Sequence, residues 1–223
     1  MLPVAAPVRV RDLLRTAPDG PVPVLHRSAV ATYVEVSGRC VGLLARDAVA
    51  VPCALRSDLP RVDHLPPTAE VRAGVLHLGG AALRVGRLVD VGVPTVTTRV
   101  TGPGPLPALR VGRGDGLTPY DDDVLAGWLV THRAAGVATD DVDLMVRALS
   151  GRTTLLSATL LDCAMHGEAV PRLATWLAAA GTPSEGAATR DLLAVGHTSG
   201  HGLLTGAAAA LSHLSPQRIG AAA

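Results

Sequence analysis

Residues 111–127 combine alternate glycines, a helix-start signal and a group of aspartates in one short run. Gly112, Gly114 and Gly116 can adopt positive φ angles and leave the backbone uncovered. A glycine loop that leads into a helix presents free N–H groups, which bind anions. The run therefore predicts an anion site contacted by Gly114, Gly116 and Thr118.

Three aspartates crowd the first turn of the same predicted helix, at positions 121–123. One or two carboxylates there are stabilised by the helix dipole, but three would repel a bare phosphate. The conflict is resolved if Mg²⁺ lies between carboxylate and phosphate. It is also resolved if the carboxylates bind amide or amine donors. Asp122 and Asp123 are thus candidate metal ligands, with Mg²⁺ as the candidate cofactor, and candidate catalytic groups.

The alternative interpretation of this run is a well-capped helix with a solvated acidic first turn. Thr118 is a good N-cap residue, Pro119 suits the first helical position, and Asp121 could complete a capping box. A second acidic helix start, residues 139–143, has no glycine loop before it. We interpret that second start as capping only.

A second glycine-rich run, residues 196–202, also precedes a predicted helix. Glycines there expose backbone N–H groups, and His197 adds a ring that can transfer protons. We therefore favour a turn that binds an anion, with His197 as a catalytic acid–base group. The anion would be bound by Gly196, Thr198, Ser199 and Gly200.

Three other interpretations of this second run stay open. It could be a plain helix cap formed by Thr198 or Ser199. Ser199 could act as a nucleophile, but it lacks the flanking glycine pattern of a nucleophile elbow. His197 and His201, four residues apart, could bind zinc if both were helical.

Composition limits the class of protein. The chain has 223 residues, of which 48% are hydrophobic and 17% charged, so it should fold into a substantial globular core. Its net charge of +1 argues against nucleic-acid partners. The three cysteines are widely spaced, and no apolar run approaches the ~18 residues of a membrane span. We expect a cytoplasmic protein without disulfides, signal peptide or membrane segment.

The secondary-structure elements predicted around these runs give the chain an α+β fold, with a β-rich first half and a helical second half. Residues 1–111 are expected to be β-rich, with antiparallel hairpins, after a proline-rich start with a short helix near 10–15. Residues 112–223 are expected to be helical and to carry both glycine-rich runs. The two halves should pack against each other as one integrated domain.

Periodicity and turn signals place the individual elements. Strands are predicted at 31–36, 39–44, 48–55, 70–78, 81–91, 94–100 and 106–111. Helices are predicted at 119–134, 140–150, 153–166, 169–180, 187–195 and 200–214. The tail, residues 215–223, is expected to be frayed.

The two runs together resemble the signatures of a bacterial domain-of-unknown-function family that includes AllH, a subunit of the oxamate carbamoyltransferase of anaerobic allantoin breakdown. The first run is similar to the family's Gly-Leu-Thr-Pro-Ser-Gly-Asp-Asp signature, with Tyr120 and Asp121 in place of Ser and Gly. The second, Gly-His-Thr-Ser-Gly at 196–200, resembles its second signature. Gly202 stands where an acidic residue is common.

The resemblance implies a carbamoyl transfer between oxalurate and phosphate that yields oxamate and carbamoyl phosphate, in purine and allantoin nitrogen catabolism. It also implies other carbamoyltransferase subunits as partners. Phosphate and oxamate are small anions, which two helix starts could bind. Two further hypotheses stay open: a non-catalytic module that binds a small anionic metabolite, and a structural subunit whose loops shape an interface.

Overall fold

The computed structural model describes residues 1–98 and 100–214. Within these ranges the chain forms two compact units, residues 1–91 with 154–160, and residues 92–153 with 161–214. All nine strands of the described residues lie in the first unit, and six α-helices follow residue 119. The predicted α+β class is therefore confirmed. The predicted tail at 215–223 lies outside the described residues.

The first unit is built on one nine-stranded sheet. Its strands are β1 (Leu2–Ala6), β2 (Gly20–Pro21), β3 (Val24–Arg27), β4 (Ala31–Val36), β5 (Arg39–Leu44), β6 (Ala54–Arg56), β7 (Ala69–Arg72), β8 (Val75–Leu78) and β9 (Ala81–Leu88). Their order is β2-β7-β8-β9-β1-β6-β5-β4-β3. Hairpins such as β4–β5 and β8–β9 are antiparallel, as predicted, but β1–β9 and β5–β6 are parallel, so the sheet is mixed.

The centre of the sheet is a strand that the sequence did not predict. β1 lies between β9 and β6 although it begins with a proline-containing stretch, and Val4, Ala5 and Ala6 are buried in it. Pro7 ends the strand and precedes helix α1 (Val8–Thr16), which matches the short helix expected near residue 10. Pairing on both edges overrides the weak local preference of this segment.

Four predicted strands need correction. Residues 106–111 and the described part of 94–100 form no strand, and residue 99 lies outside the description. Only the end of 48–55 is extended, as part of β6, because Pro52 cannot donate to a ladder. The strand predicted at 70–78 is two strands, β7 and β8, joined by a tight turn in which Ala73 and Gly74 have positive φ.

Six helices follow the glycine-rich loop, each within two residues of its predicted ends. They are α2 (Tyr120–Ala134), α3 (Asp140–Leu149), α4 (Leu155–Met165), α5 (Pro171–Ala179), α6 (Glu185–Leu193) and α7 (Ser199–Leu214). None of the described helices is long and apolar enough to cross a membrane.

Helix α2 is also the anchor for the irregular segment before it. His132 is fully buried, and its Nδ1–H donates to the Trp128 carbonyl at 2.8 Å. Its Nε2 accepts the Gly104 N–H at 3.0 Å, so the ring is held neutral. Burial lowers the pKa of His132, in agreement with this arrangement. His132 therefore has a structural role in the fold.

Helices α2 and α7 pack with their backbones in direct contact. A Cβ atom on Gly206 would lie 1.8 Å from the Val124 carbonyl oxygen, and one on Gly127 would lie 2.1 Å from the Leu203 carbonyl oxygen. Real Cβ atoms do not approach backbone so closely, and only glycine permits this distance between the helices. The contact fixes where α7 begins relative to the start of α2.

Gly206→Ala should therefore destabilise the protein by about 1–3 kcal/mol, because the new methyl group forces the two helices apart. Gly186→Ala is the matched control, since Gly186 is also helical but its nearest contact is the end of the Arg190 side chain at 3.9 Å. The control should be neutral or stabilise by about 0.5 kcal/mol. Urea unfolding measures both changes. Equal stability of Gly206→Ala and the wild type would contradict the close contact.

Candidate functional site

The glycine-rich loop adopts the backbone conformation that the sequence predicts. Gly112, Gly114 and Gly116 have φ angles of 83°, 125° and 88°, which disfavour any residue with a side chain. Gly112 also touches the backbone elsewhere, since a Cβ atom there would lie 2.0 Å from the Arg152 carbonyl oxygen. The loop is therefore packed at Gly112, while Gly116 has open space around it.

Two of the three aspartates hold this loop in place. Asp121 Oδ2 accepts the Arg110 N–H at 2.9 Å. Asp122 is 1% exposed, and its carboxylate accepts the Gly112 N–H at 2.8 Å and the Thr153 hydroxyl at 2.5 Å. Both oxygens of Asp122 thus bind donors of the protein. A Mg²⁺ ion at Asp122 stays a prediction, and it would have to bind a buried carboxylate whose two oxygens already accept hydrogen bonds.

The predicted cap of α2 is wrong. The helix begins at Tyr120 after Pro119, and no side chain caps its N-terminus. Asp121 cannot complete a capping box with Thr118 because its carboxylate is turned toward Arg110. Thr118 instead shares a hydrogen bond of 2.9 Å with the Ser199 hydroxyl. A tertiary partner has replaced the local capping bond.

Asp123 is the aspartate that faces the second run. It is 6% exposed, and burial raises its pKa from an ordinary 3.8 to about 7. Hydrogen bonds from Ser199 and Thr118 oppose this change, and the charge of Asp122 adds to it. Asp123 Oδ2 is buried and has no hydrogen-bond partner within residues 1–98 and 100–214. This carboxyl can therefore gain and lose a proton near neutral pH.

The two glycine-rich runs thus meet at the starts of α2 and α7. Ser199 is the first residue of α7, and Gly202 lies one turn further along it. A Cβ atom on Gly202 would lie 2.7 Å from the Cβ atom of Asp123. At this spacing between α2 and α7, a side chain at position 202 would collide with Asp123.

The other predicted residues of the second run lie around Ser199. Gly196 has a φ of 59° and is exposed, as are His197 and Thr198. Gly200 is buried, and its N–H already donates to the Val195 carbonyl at 2.9 Å. An anion would have to compete with that bond for the Gly200 N–H.

The zinc interpretation of the second run loses its geometric basis. His197 lies in a turn before α7, so it does not share a helix face with His201. In the part of the chain that the structure describes, no three His, Cys, Asp or Glu side chains are grouped to hold a metal ion. Cys40, Cys53 and Cys163 are buried.

The comparison run at 139–143 is structural, but not through capping. Thr139 makes no side-chain bond to the start of α3. Its hydroxyl donates instead to Asp143 at 2.8 Å, and Arg133 forms an ion pair with the same buried carboxylate. An acidic helix start of similar sequence therefore has its carboxylate satisfied inside the fold, in contrast to Asp123.

This geometry defines a helical segment in which two glycine-rich helix starts enclose two hydroxyl groups and a buried carboxyl. Residues 110–211 match the model of the family described as oxamate carbamoyltransferase subunit AllH. The resemblance suggested by the two motifs is thus confirmed for this segment of the chain. No curated protein and no solved structure gives a significant match.

Sequence reasoning missed the contacts that assemble this site. It did not pair Thr118 with Ser199, and it gave Thr153 no role. The sequence of α7 does contain a signal for close packing. Small residues recur every four positions, at Gly202, Gly206 and Ala210, and form one face of the helix. Such a face indicates close helix packing, although it does not identify the partner helix.

The raised pKa of Asp123 gives a prediction for stability. Because the folded-state pKa lies above the unfolded value, this group's contribution to stability falls as pH rises from 3.8 to about 7. Between pH 5 and pH 8 the loss should be about 2.5 kcal/mol. Asp123→Asn should remove this loss and be the more stable form at pH 8.

Urea unfolding at the two pH values tests this expectation, with Asp141→Asn as the control because Asp141 is exposed in the first turn of α3. The control should keep the wild-type dependence on pH. An unchanged pH dependence in Asp123→Asn would show that Asp123 does not titrate in this range.

Proposed function

We propose that this chain is an AllH-like subunit of a carbamoyl-transferring enzyme and that Thr118, Asp123 and Ser199 form part of its substrate site. The observation that carries the proposal is the contact between the two family-like runs. It places two hydroxyls and a carboxyl with a pKa near 7 at the starts of two helices. The family match over residues 110–211 supports the same conclusion.

The proposed reaction transfers the carbamoyl group of oxalurate to phosphate. A phosphate oxygen attacks the carbamoyl carbon, and the bond from that carbon to the nitrogen of the oxamate portion breaks. The proton of hydrogen phosphate ends on the departing nitrogen, so oxamate and carbamoyl phosphate balance the equation. One group that accepts this proton and returns it to nitrogen is sufficient for the transfer.

Asp123 suits this proton transfer better than Asp122 does. A carboxyl with a pKa near 7 is protonated and ionised in similar amounts at neutral pH, which is the optimum for acid–base catalysis. Its protonated form also admits anionic substrates that a fixed carboxylate would repel. We assign Asp122 a positioning role, because both its oxygens hold the loop and Thr153.

The hydroxyls of Thr118 and Ser199 would donate to the carbamoyl oxygen or to an anionic substrate. The loop N–H groups at Gly114 and Gly116 and the turn at 196–198 would add donors around the same point. His197 is exposed in that turn, and we propose that it exchanges the proton with solvent. A Mg²⁺ ion at Asp123 would instead bind phosphate beside an ionised carboxylate, as an alternative to proton transfer by this group.

The matched family is that of an oxamate carbamoyltransferase subunit, so we propose that the chain works with other carbamoyltransferase subunits in the cytoplasm. The second candidate function is a non-catalytic module that binds a small anion at the same helix starts. Binding of phosphate or oxamate with no turnover, even with the partner subunits present, would favour this second function.

The test is formation of carbamoyl phosphate from oxalurate and phosphate by the chain co-expressed with its partner subunits. Ser199→Ala should lower kcat about 10–100-fold through loss of a donor, and Asp123→Asn should lower it about 100-fold or more through loss of proton transfer. The control is Ser212→Ala, because Ser212 lies exposed on the same helix and bonds only locally.

Melting temperatures would show whether each variant is folded. Wild-type turnover in both Ser199→Ala and Asp123→Asn would remove the cluster from the active site. Loss of turnover in Ser212→Ala as well would mean that any change in α7 disturbs assembly, and the assignment would fail.

A further inference from the structure

A groove of about 530 Å³ lies in the second unit beside the glycine-rich loop, and Thr118, Asp123 and Ser199 are not among its lining residues. Three arginines line it: Arg110, Arg113 and Arg152. Its other lining residues are a glycine and residues with apolar side chains, among them Leu109 and Leu125. Its volume falls in the range of small-molecule sites in proteins.

The three guanidinium groups have no anionic partner in the described part of the chain. Other arginines in this protein do, since Arg61 and Arg133 form ion pairs with aspartates. Arg110, Arg113 and Arg152 form no ion pair within the described residues, and all three are exposed. Three positive charges at one groove without a carboxylate partner favour a bound anion.

The groove is held in shape by the acidic run. Asp121 binds the N–H of Arg110 itself. Asp122 binds the N–H of Gly112 and the hydroxyl of Thr153, which are the chain neighbours of Arg113 and Arg152. These carboxylates are occupied by donors of the protein, so they fix the backbone that carries the arginines.

Adjacent residues of α2 thus point to different neighbours. Successive helical residues are rotated by about 100°, so Asp122 binds Gly112 and Thr153 while Asp123 faces α7. Leu125, three residues after Asp122, lies on the same side of α2 and lines the groove. The groove is therefore separate from the cluster of Thr118, Asp123 and Ser199.

The apolar lining determines the kind of anion. Inorganic phosphate would satisfy the arginines but would leave the leucine and methionine side chains of the groove in water. We propose that the groove binds a small organic anion, whose oxyanion group is held by Arg113 and Arg152 while its apolar body covers Leu109 and Met145. This site is additional to the proposed carbamoyl-transfer site.

Titration of the protein with phenyl phosphate, followed by calorimetry, tests the proposal. Binding should be saturable, and Arg113→Gln and Arg152→Gln should each weaken it about tenfold, because each removes a charge-assisted contact. Arg147→Gln is the matched control, since Arg147 is exposed on neighbouring α3 and does not line the groove. It should bind phenyl phosphate as the wild type does.

Separate probes test the contributions of the anionic and the apolar parts of the ligand. Inorganic phosphate and phenol should each bind at least tenfold more weakly than phenyl phosphate. Comparison with benzoate shows whether the oxyanion is a phosphate or a carboxylate, and tight binding of either supports the site. Arg113 and Arg152 are not assigned to the proposed carbamoyl-transfer site, so an effect of their substitution on phenyl phosphate binding is independent of carbamoyl transfer.

Three results would overturn the proposal. One is the absence of saturable binding of both phenyl phosphate and benzoate. Another is equal affinity in the wild type and in a variant that combines Arg113→Gln with Arg152→Gln. The third is an equal loss of affinity in Arg147→Gln, which would indicate non-specific attraction to positive charge.

Discussion

The contact between α2 and α7 is the interaction on which the candidate site depends. Gly127 and Gly206 let the two backbones touch, with the neighbouring carbonyls where a side chain would otherwise lie. At this separation the Ser199 hydroxyl reaches Thr118, and Asp123 is covered by α7. A wider spacing would leave Asp123 in water, with an ordinary carboxylate, and would separate the two runs.

Burial of Asp123 by this packing changes the acidity of its carboxyl group. A carboxylate removed from water is destabilised, and two neutral hydroxyls compensate only in part, so the pKa rises to about 7. Asp143 is equally buried but pairs with Arg133. The contrast shows that the fold can satisfy a buried carboxylate with a cation and does not do so at Asp123. A group that costs stability in this way is typical of a functional site.

The aspartates at 121–123 therefore have two different roles, and the sequence does not show which residue has which role. Asp121 and Asp122 bind backbone N–H groups and shape the loop with its arginine-lined groove. Asp123 faces the opposite helix. The division follows from helix geometry, since each residue points about 100° away from the one before it. The start of α2 therefore presents carboxylates that bind the loop in one direction and a carboxyl with a raised pKa in another.

The sequence by itself determined the α+β division, the ends of six helices and the positive φ angles of the glycine loop, because periodicity, proline and glycine act locally. It did not determine that β1 lies inside the sheet, or that Thr118 binds Ser199 and not its own helix. Those outcomes were decided by tertiary structure. A local cap and a distant hydroxyl offer Thr118 hydrogen bonds of similar strength, and only the packing of α7 on α2 makes the distant one available.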